Sequence, residues 1–543
     1  MSILRSTSVI GAFTVASRIL GFAREIIIVA AIGAGPLADA YYTAQIFPNL
    51  FRRVFAEGAF SQAFVPVFSR TREREGEAAA EQSASEALSA LLAVTGALTI
   101  AAQILMPVIM LLMQLGYVRR GDWDTFWLSV FLTQITMPYL TAMSLAALFQ
   151  GVLNTHSRFA LAAAAPTILN AFLIIPALIF QDMPRAAVYA LATGIMLAGL
   201  VQAGMLYWGC KRLGVRLRLM RPRITPAVRR IVAISVPGAV AASAVQINIT
   251  ISQVLASMEE GAKSWLNAAD RLYQLPLGLV GVALGVAILP SLSRAVEADD
   301  RDASRGTLDL ALSIAMALSL PAAAALMTVP ALLVDGLFAR GEFTTADAGM
   351  TSRALFHFAW GVPAFVLIKV LAPAFYARHD TIRPMRFAMI SVAVNVVIGA
   401  GLFFVLRAQG LPGFPGLAVG TSAAAWLNVA LLAGTLWKEG LYRPGGLALR
   451  RIAGALAASA LMAAALLFAV AQYDALADAA FGAKEGALVL VVAAGGLVYA
   501  VAALVFGALR VSDLRIMLRK RGRRGAAAAA GQGVDPAAGA SQD

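Results

Sequence analysis

The sequence predicts an all-α integral membrane protein of about fourteen transmembrane helices, arranged as two parallel six-helix lobes followed by an extra helix pair. Three observations carry that prediction. The 543 residues are 60% hydrophobic and only 14% charged, against about 25% charged in a soluble chain. The apolar residues fall in long blocks, and one bilayer crossing takes roughly 20 of them. Parts of the second half also repeat the first at a nearly constant spacing.

The blocks lie near residues 8–31, 38–68, 85–114, 126–153, 159–180, 186–209, 228–256, 264–293, 306–334, 347–377, 384–406, 415–437, 449–471 and 485–509. Hydrocarbon offers no partner for free backbone groups, so each block is expected to be a helix. Alternating barrel strands would give a much weaker hydropathy signal. Blocks longer than a single crossing imply tilted or kinked helices. The first block begins near Ser8 but holds Arg18 and Arg24; the apolar core of a signal peptide would not tolerate them, and none is expected. Cys210 is the only cysteine, which rules out an intramolecular disulfide. His156, His357 and His379 lie far apart and lack metal-ligand spacing.

The net charge of +14 could suggest nucleic acid, but its placement argues for a membrane. With the N-terminus cytoplasmic, about 30 Lys and Arg fall in cytoplasmic segments and about 7 on the opposite side, as the positive-inside rule requires. The richest segments are 211–230 and the run Arg519-Lys520-Arg521-Gly522-Arg523-Arg524. These are read as topology signals and contacts for anionic lipid head groups, with no nucleic-acid partner. An even helix count puts both termini inside. The Ala- and Gly-rich chain beyond Gly525 is expected to be disordered.

The repeat gives the domain organisation. Pro66-Val-Phe-Ser69-Arg70 matches Pro290-Ser-Leu-Ser293-Arg294 at a shift of 224, and Pro138, Arg158 and Asn170 match Pro363, Arg383 and Asn395 at a shift of 225. Several matches at one shift indicate duplication. The shift spans six helices, and an even number preserves orientation, so the repeats are parallel. The expected parts are an N-terminal lobe at 1–222, a C-terminal lobe at 223–440, the extra pair at 441–510, and a basic, then disordered, cytoplasmic tail at 511–543. Repeats facing a central cavity are the usual basis of alternating access.

Charge inside the apolar blocks points to a site. Arg18 and Arg24 lie in the first block; Asp39, Arg52, Arg53 and Glu57 in the second; Asp270 and Arg271 in the eighth. An Arg at mid-membrane costs about 2.5–3.5 kcal/mol and faces a bundle interior or wet cavity. Arg53 and Glu57 are four apart and can pair along one helix face, leaving Arg18, Arg24 and Arg52 with fewer local anions. Guanidinium forks match phosphate and carboxylate oxygens, so an anionic substrate is expected, a diphosphate fitting three or four convergent Arg. The competing reading is a set of inter-helix salt bridges.

The string Ser17-Arg-Ile-Leu-Gly-Phe-Ala-Arg24 resembles the first-helix motif of the MurJ/MviN family of lipid II flippases, within the multidrug/oligosaccharidyl-lipid/polysaccharide exporter superfamily. Pro48-Asn-Leu-Phe-Arg-Arg-Val-Phe-Ala-Glu-Gly-Ala-Phe-Ser-Gln-Ala-Phe-Val-Pro66 is similar to its signature. Further likeness lies in Ser264-Trp265 with Ala269-Asp-Arg-Leu272, Gly281-Val-Ala-Leu-Gly285 with Leu289-Pro-Ser-Leu-Ser293, and Lys369-Val-Leu-Ala-Pro373 with Phe375-Tyr376. The resemblance implies movement of lipid II, the undecaprenyl-diphosphate-linked peptidoglycan precursor, from the cytoplasmic to the periplasmic leaflet of the inner membrane. It implies that Arg18, Arg24, Arg52 and Arg271, with Asp39 and Glu57, line the cavity; Ser17, Asn49, Ser264 and Asp270, from the same strings, complete the expected substrate-binding set. Two departures stand out: Ile46 where some members have Lys, and Gln274 where some have an acid. Family members also bind sodium, for which Asp380 and Asn395 are the candidates here. No other cofactor is expected, the membrane potential is a possible drive, and cell-wall synthesis proteins are possible partners.

Other classes fit less well. A membrane-embedded polyprenyl-phosphate transferase would add a carboxylate-rich loop for metal and donor, whereas Asp299-Asp300 and Asp302 sit in a small turn also rich in Arg. No Gly-rich Lys-Ser/Thr loop is present, so no built-in ATPase, and no enzyme is expected. A multidrug exporter of the same superfamily would carry an acidic or apolar cavity. The extra pair is read either as ordinary lipid-facing helices or as a groove for the polyprenyl tail.

Overall fold

The structure, a computed structural model, describes residues 3–51, 59–472 and 484–508. Every regular element among them is helical. In chain order these are α1 (Ile3–Ile32), α2 (Pro36–Phe51), α3 (Ala59–Glu75), α4 (Glu77–Met113), α5 (Leu115–Arg120), α6 (Trp123–Thr136), α7 (Tyr139–Thr155), α8 (Phe159–Ile179), α9 (Pro184–Arg212) and α10 (Pro226–Ala256). They continue as α11 (Ala262–Pro276), α12 (Val282–Glu297), α13 (Arg301–Thr328), α14 (Pro330–Phe338), α15 (Thr345–Ala359), α16 (Val362–Tyr376), α17 (Ile382–Ala408), α18 (Phe414–Lys438), α19 (Gly446–Ala471) and α20 (Lys484–Val505).

Ten stretches among the described residues are long and apolar enough to cross a membrane. The other four apolar blocks of the sequence are helical where described, in α1, in α2 with α3, in α10, and in α11 with α12. Local chemistry sets the ends. Pro36, Pro184 and Pro226 open their helices, where the missing N–H costs nothing. Thr225 and Asp300 cap α10 and α13 through their side chains, and Thr344 with Asp347 forms a capping box on α15. Two blocks break in mid-span, before Tyr139 and before Val362, beside Pro138 and Pro363, the prolines matched in the repeat. After Pro276 the chain makes a π-helical turn, Leu277–Gly281, because proline cannot supply the N–H of the regular ladder.

The chain divides into two compact units. The first comprises Met1–Leu275, Pro330–Gly361 and Met385–Asn428; the second comprises Pro276–Val329, Val362–Pro384 and Val429–Asp543. In the first, α8 packs on α1 and α9, α7 on α9, α2 on α6, and α10 on α3 and α4. Its interior is aromatic: Tyr41, Phe64, Phe68 and Tyr139 are almost fully buried. In the second, α13 packs against α12, α16 and α19, and α19 against α20. Asp309 holds the approach to the extra pair, accepting from the Tyr442 hydroxyl at 2.6 Å and the Gly445 amide at 3.1 Å, and the Tyr499 hydroxyl of α20 donates to the Ala317 carbonyl. Outward faces are apolar. On α4, Val94, Leu98, Ile100, Ile104, Leu105 and Val108 are all exposed, an unbroken stripe that suits hydrocarbon and not water.

Candidate functional site

Glu25 of α1 is only 3% exposed, and a buried carboxylate must be satisfied by its surroundings. Its Oε1 accepts from Asn267 Nδ2 at 2.6 Å and from the Tyr42 hydroxyl at 3.2 Å. Its Oε2 faces Arg24 Nη2 at 3.6 Å and Arg271 Nε at 3.5 Å. Those two separations are ion pairs with the hydrogen-bond directions missed. The Nε groups of both arginines are buried without an acceptor, although the same Arg271 atom is the one that faces Glu25. Arg24 spends one donor on Asn170 Oδ1 at 3.1 Å, and Asn170 in turn donates to the Ser17 carbonyl at 3.2 Å. A guanidinium carries five N–H donors, so this pair of cations has donors to spare.

Asp270 is engaged by Gln274 Nε2. Counting it, Arg24 and Arg271 are matched by Glu25 and Asp270, and Arg18, exposed on α1, is one further cation. The Arg24–Asn170 contact has a counterpart in the second repeat, where Asn395 Nδ2 donates to Asn248 Oδ1 at 3.2 Å. The same inter-helix contact is therefore neutral there and cationic in the first repeat.

A second cluster closes a seam within the first unit. Asp39, fully buried, accepts four bonds: from the Tyr117 hydroxyl at 2.8 Å, the Gly261 amide at 3.0 Å, the Ser264 amide at 3.1 Å and the Ser264 hydroxyl at 2.8 Å. Two of these donors are amides at the start of α11, where free N–H groups and the helix dipole favour an anion. Asp39 and Ser264 are 225 residues apart, the repeat interval. Two flanking contacts are alike in kind. Gly116 sits on the backbone at Ser257, its amide donating to Ser257 Oγ at 3.0 Å. Its equivalent Gly341 sits on the backbone at Ala30, and the neighbouring Glu342 amide donates to the Ala30 carbonyl at 2.8 Å. Lys263, also fully buried, bonds to Thr43 Oγ1 and Gln114 Oε1 at 2.7 Å each and to the Met113 carbonyl at 3.2 Å.

Of the residues singled out in the sequence, Arg24 and Arg271 meet at Glu25, and Asp39 and Ser264 meet at the seam. Arg18 and Asn49 are exposed and Ser17 is half-buried, its carbonyl held by Asn170. Arg52 and Glu57 lie outside the described residues. Asp380 caps α17 at the Arg383 amide, 3.1 Å away, and pairs with Arg383 Nε at 3.2 Å; Asn395 bonds to Asn248. Among the described residues no three His, Cys, Asp or Glu gather as metal ligands. Sequence reasoning missed Glu25, Asn267, Tyr42 and Lys263. The signal for Glu25 was present, an acid inside an apolar block next to Arg24. For Lys263 there was none, since a lysine at a helix start reads as interfacial.

Comparison with known proteins bears on this arrangement. A family model described as lipid II flippase MurJ matches residues 28–480. A probable lipid II flippase MurJ of Rhizobium meliloti is 39% identical over 98% of this chain and 100% of its own length. A lipid II flippase MurJ of Burkholderia cenocepacia is 35% identical over 82% of this chain and 86% of its own. Among solved structures, a lipid II flippase MurJ in an inward closed conformation is similar in fold, with a TM-score of 0.74 at 22% identity, covering 93% of this chain and 99% of that one. A multidrug-resistance MATE transporter of the MOP superfamily, inward-facing, gives 0.61 at 14% identity over 78% of this chain and 95% of that one.

Proposed function

The chain belongs to the lipid II flippase MurJ family, and from that premise we propose that it carries lipid II from the cytoplasmic to the outer leaflet by alternating access. The observation that supports this reading is the pair Arg24 and Arg271, gathered around one buried carboxylate with guanidinium N–H groups unspent. The diphosphate of lipid II presents several acceptor oxygens and two or three negative charges, which suits two planar forks. Glu25 holds the forks in place until the head group arrives. The diphosphate then draws the N–H groups that Glu25 meets only at 3.5–3.6 Å. Arg18 and Arg52 are counted in the same substrate-binding set, on the resemblance of their sequence strings. No bond in the substrate is made or broken.

In this reading the seam at Asp39 and Ser264 is the outer gate, shut while the site loads from the cytoplasm. A bound dianion neutralises the arginines and so lowers the cost of occluding them, which is the differential stabilisation that couples a ligand to a conformational change. The membrane potential supplies the drive. A charge crossing the full field exchanges about 2.3 kcal/mol per 100 mV, and an anion moving outward from a negative interior moves downhill. Depletion of the protein followed by leaflet-resolved measurement of lipid II should show the precursor accumulating in the cytoplasmic leaflet. An unchanged distribution would refute the function.

The proposed topology puts both termini in the cytoplasm of an inner-membrane protein. The support for it is the alternation of Lys and Arg between segments, with the 211–230 segment the richest. On a background lacking Cys210, cysteines at Arg119 and Arg340 should react with a membrane-impermeant maleimide from outside, and one at Arg223 should not. External labelling of Arg223→Cys would reverse the assignment.

A further inference from the structure

Lys263 is a fully buried lysine whose three ammonium donors all go to neutral acceptors, Thr43 Oγ1, Gln114 Oε1 and the Met113 carbonyl. None of those partners carries charge to balance it, and an ammonium taken out of water needs compensation. The compensation lies one step away. Thr43 Oγ1 donates onward to the Asp39 carbonyl at 2.7 Å, and Ser264, the next residue after Lys263, holds the Asp39 carboxylate. The seam thus buries one cation and one anion side by side without direct contact. The repeat shows how they came to be paired. Asp39 is equivalent to Ser264, and Lys263 to Ala38, both at the repeat interval. Each half therefore contributes one charge that the other half lacks.

We propose that Lys263 is a positioning residue of the outer gate: its charge balances Asp39, so the seam closes as a neutral unit and opens as two separated, hydrated ions. On opening, α11 leaves α2, both charges regain water, and that hydration offsets the hydrogen bonds that α11 and α2 give up. A seam built this way is closed firmly without being locked. The proposal rests on the alternating-access reading above and adds the element that sets the gate's balance.

The test uses the full-length protein in the cell membrane, with Cys210→Ser and a reporter cysteine at Ala262, which is buried in the closed seam. The readout is the rate of labelling from outside by an impermeant maleimide. Lys263→Met keeps the length of the side chain and removes the charge. It leaves a buried carboxylate unbalanced and should raise the labelling rate about tenfold or more. Asp39→Asn should do the same from the other side. The decisive variant is the double substitution. Removing both charges should label no faster than Asp39→Asn alone, whereas independent roles would multiply the two increases. Multiplied increases, or a Lys263→Met rate equal to the parent's, would overturn the assignment of Lys263 and make it a neutral packing anchor. If the reporter in the parent never reacts during active flipping, alternating access at this gate fails instead, and the Lys263 assignment falls with it.

Discussion

Alanine at Arg271 or at Arg24 should reduce lipid II flipping to the level seen without the protein. Each variant removes a fork from the diphosphate and breaks one of the two ion pairs of Glu25, which is 3% exposed. Breaking a buried ion pair by deleting one partner costs about 3–5 kcal/mol, so protein abundance should fall as well. The two effects separate in a paired variant. Glu25→Gln with Arg271→Gln removes one charge of each sign and leaves two amides that can bond to each other. Abundance should return toward that of the parent, because charge is removed in equal and opposite amounts and the net charge of the cluster is again the parent's. Flipping should not return, because the anion has lost its fork. Leaflet-resolved lipid II content measured beside membrane abundance reads both. Wild-type flipping by the paired variant would mean that the cluster is an inter-helix salt bridge and nothing more. Arg271→Lys sharpens the point: it keeps the charge but not the planar donors, and flipping should drop about tenfold or more, the scale set by one or two lost hydrogen bonds to a charged group.

Valine at Gly116 should hold the seam open. A Cβ there would stand 1.9 Å from the Ser257 carbonyl oxygen and 2.4 Å from Met258 Cα; both are backbone atoms, so no rotamer change relieves the overlap. Gly341 has a like constraint, where a Cβ would meet the Ala30 carbonyl oxygen at 2.3 Å and φ is +58°. Alanine at Gly341 adds about 1–2 kcal/mol of left-handed strain to the overlap. Overpacking without relief costs typically about 1–3 kcal/mol, occasionally more. Here the seam can avoid it by not closing. Labelling of the Ala262 reporter from outside should rise, and flipping should fall by about two orders of magnitude, since a gate that stays open cannot return the site to the cytoplasm. Gly349→Ala is the control: the position is helical with open space around it, and flipping and abundance should match the parent. A Gly116→Val variant with normal flipping would remove the seam from the transport cycle.

Much of the membrane character could be read before any coordinates. Hydropathy marks long apolar helices because a bilayer leaves no other way to satisfy the backbone, and ten such stretches are present among the described residues. Periodicity could not locate the breaks at Met137–Pro138 and at Trp360–Gly361, since hydropathy runs straight through a kink. The matched prolines did mark both places. The repeat was legible as Asn170 and Asn395, and each of them bonds across to the first helix of its own half, to Arg24 and to Asn248.

The site divides along the same line. That Arg24 and Arg271 fall inside long apolar blocks is a property of the chain alone, and the cost of a buried guanidinium demands a polar cavity wherever the helix goes. Which anion receives them is not. Glu25 and Arg271 are 246 positions apart, and only the side-chain contacts of Glu25 with Arg24 and with Arg271 of α11 put a carboxylate oxygen between the two forks. Lys263 shows the limit most clearly. In sequence it is one cation at the start of a helix, where lysine commonly snorkels into water. In the folded protein α2, the junction of α4 and α5, and α11 enclose it completely. Hydropathy sums over neighbours along the chain, while burial and charge compensation sum over neighbours in space. The sequence therefore determined that this protein crosses a membrane and carries cations inside it, and the tertiary structure decided which charges face each other.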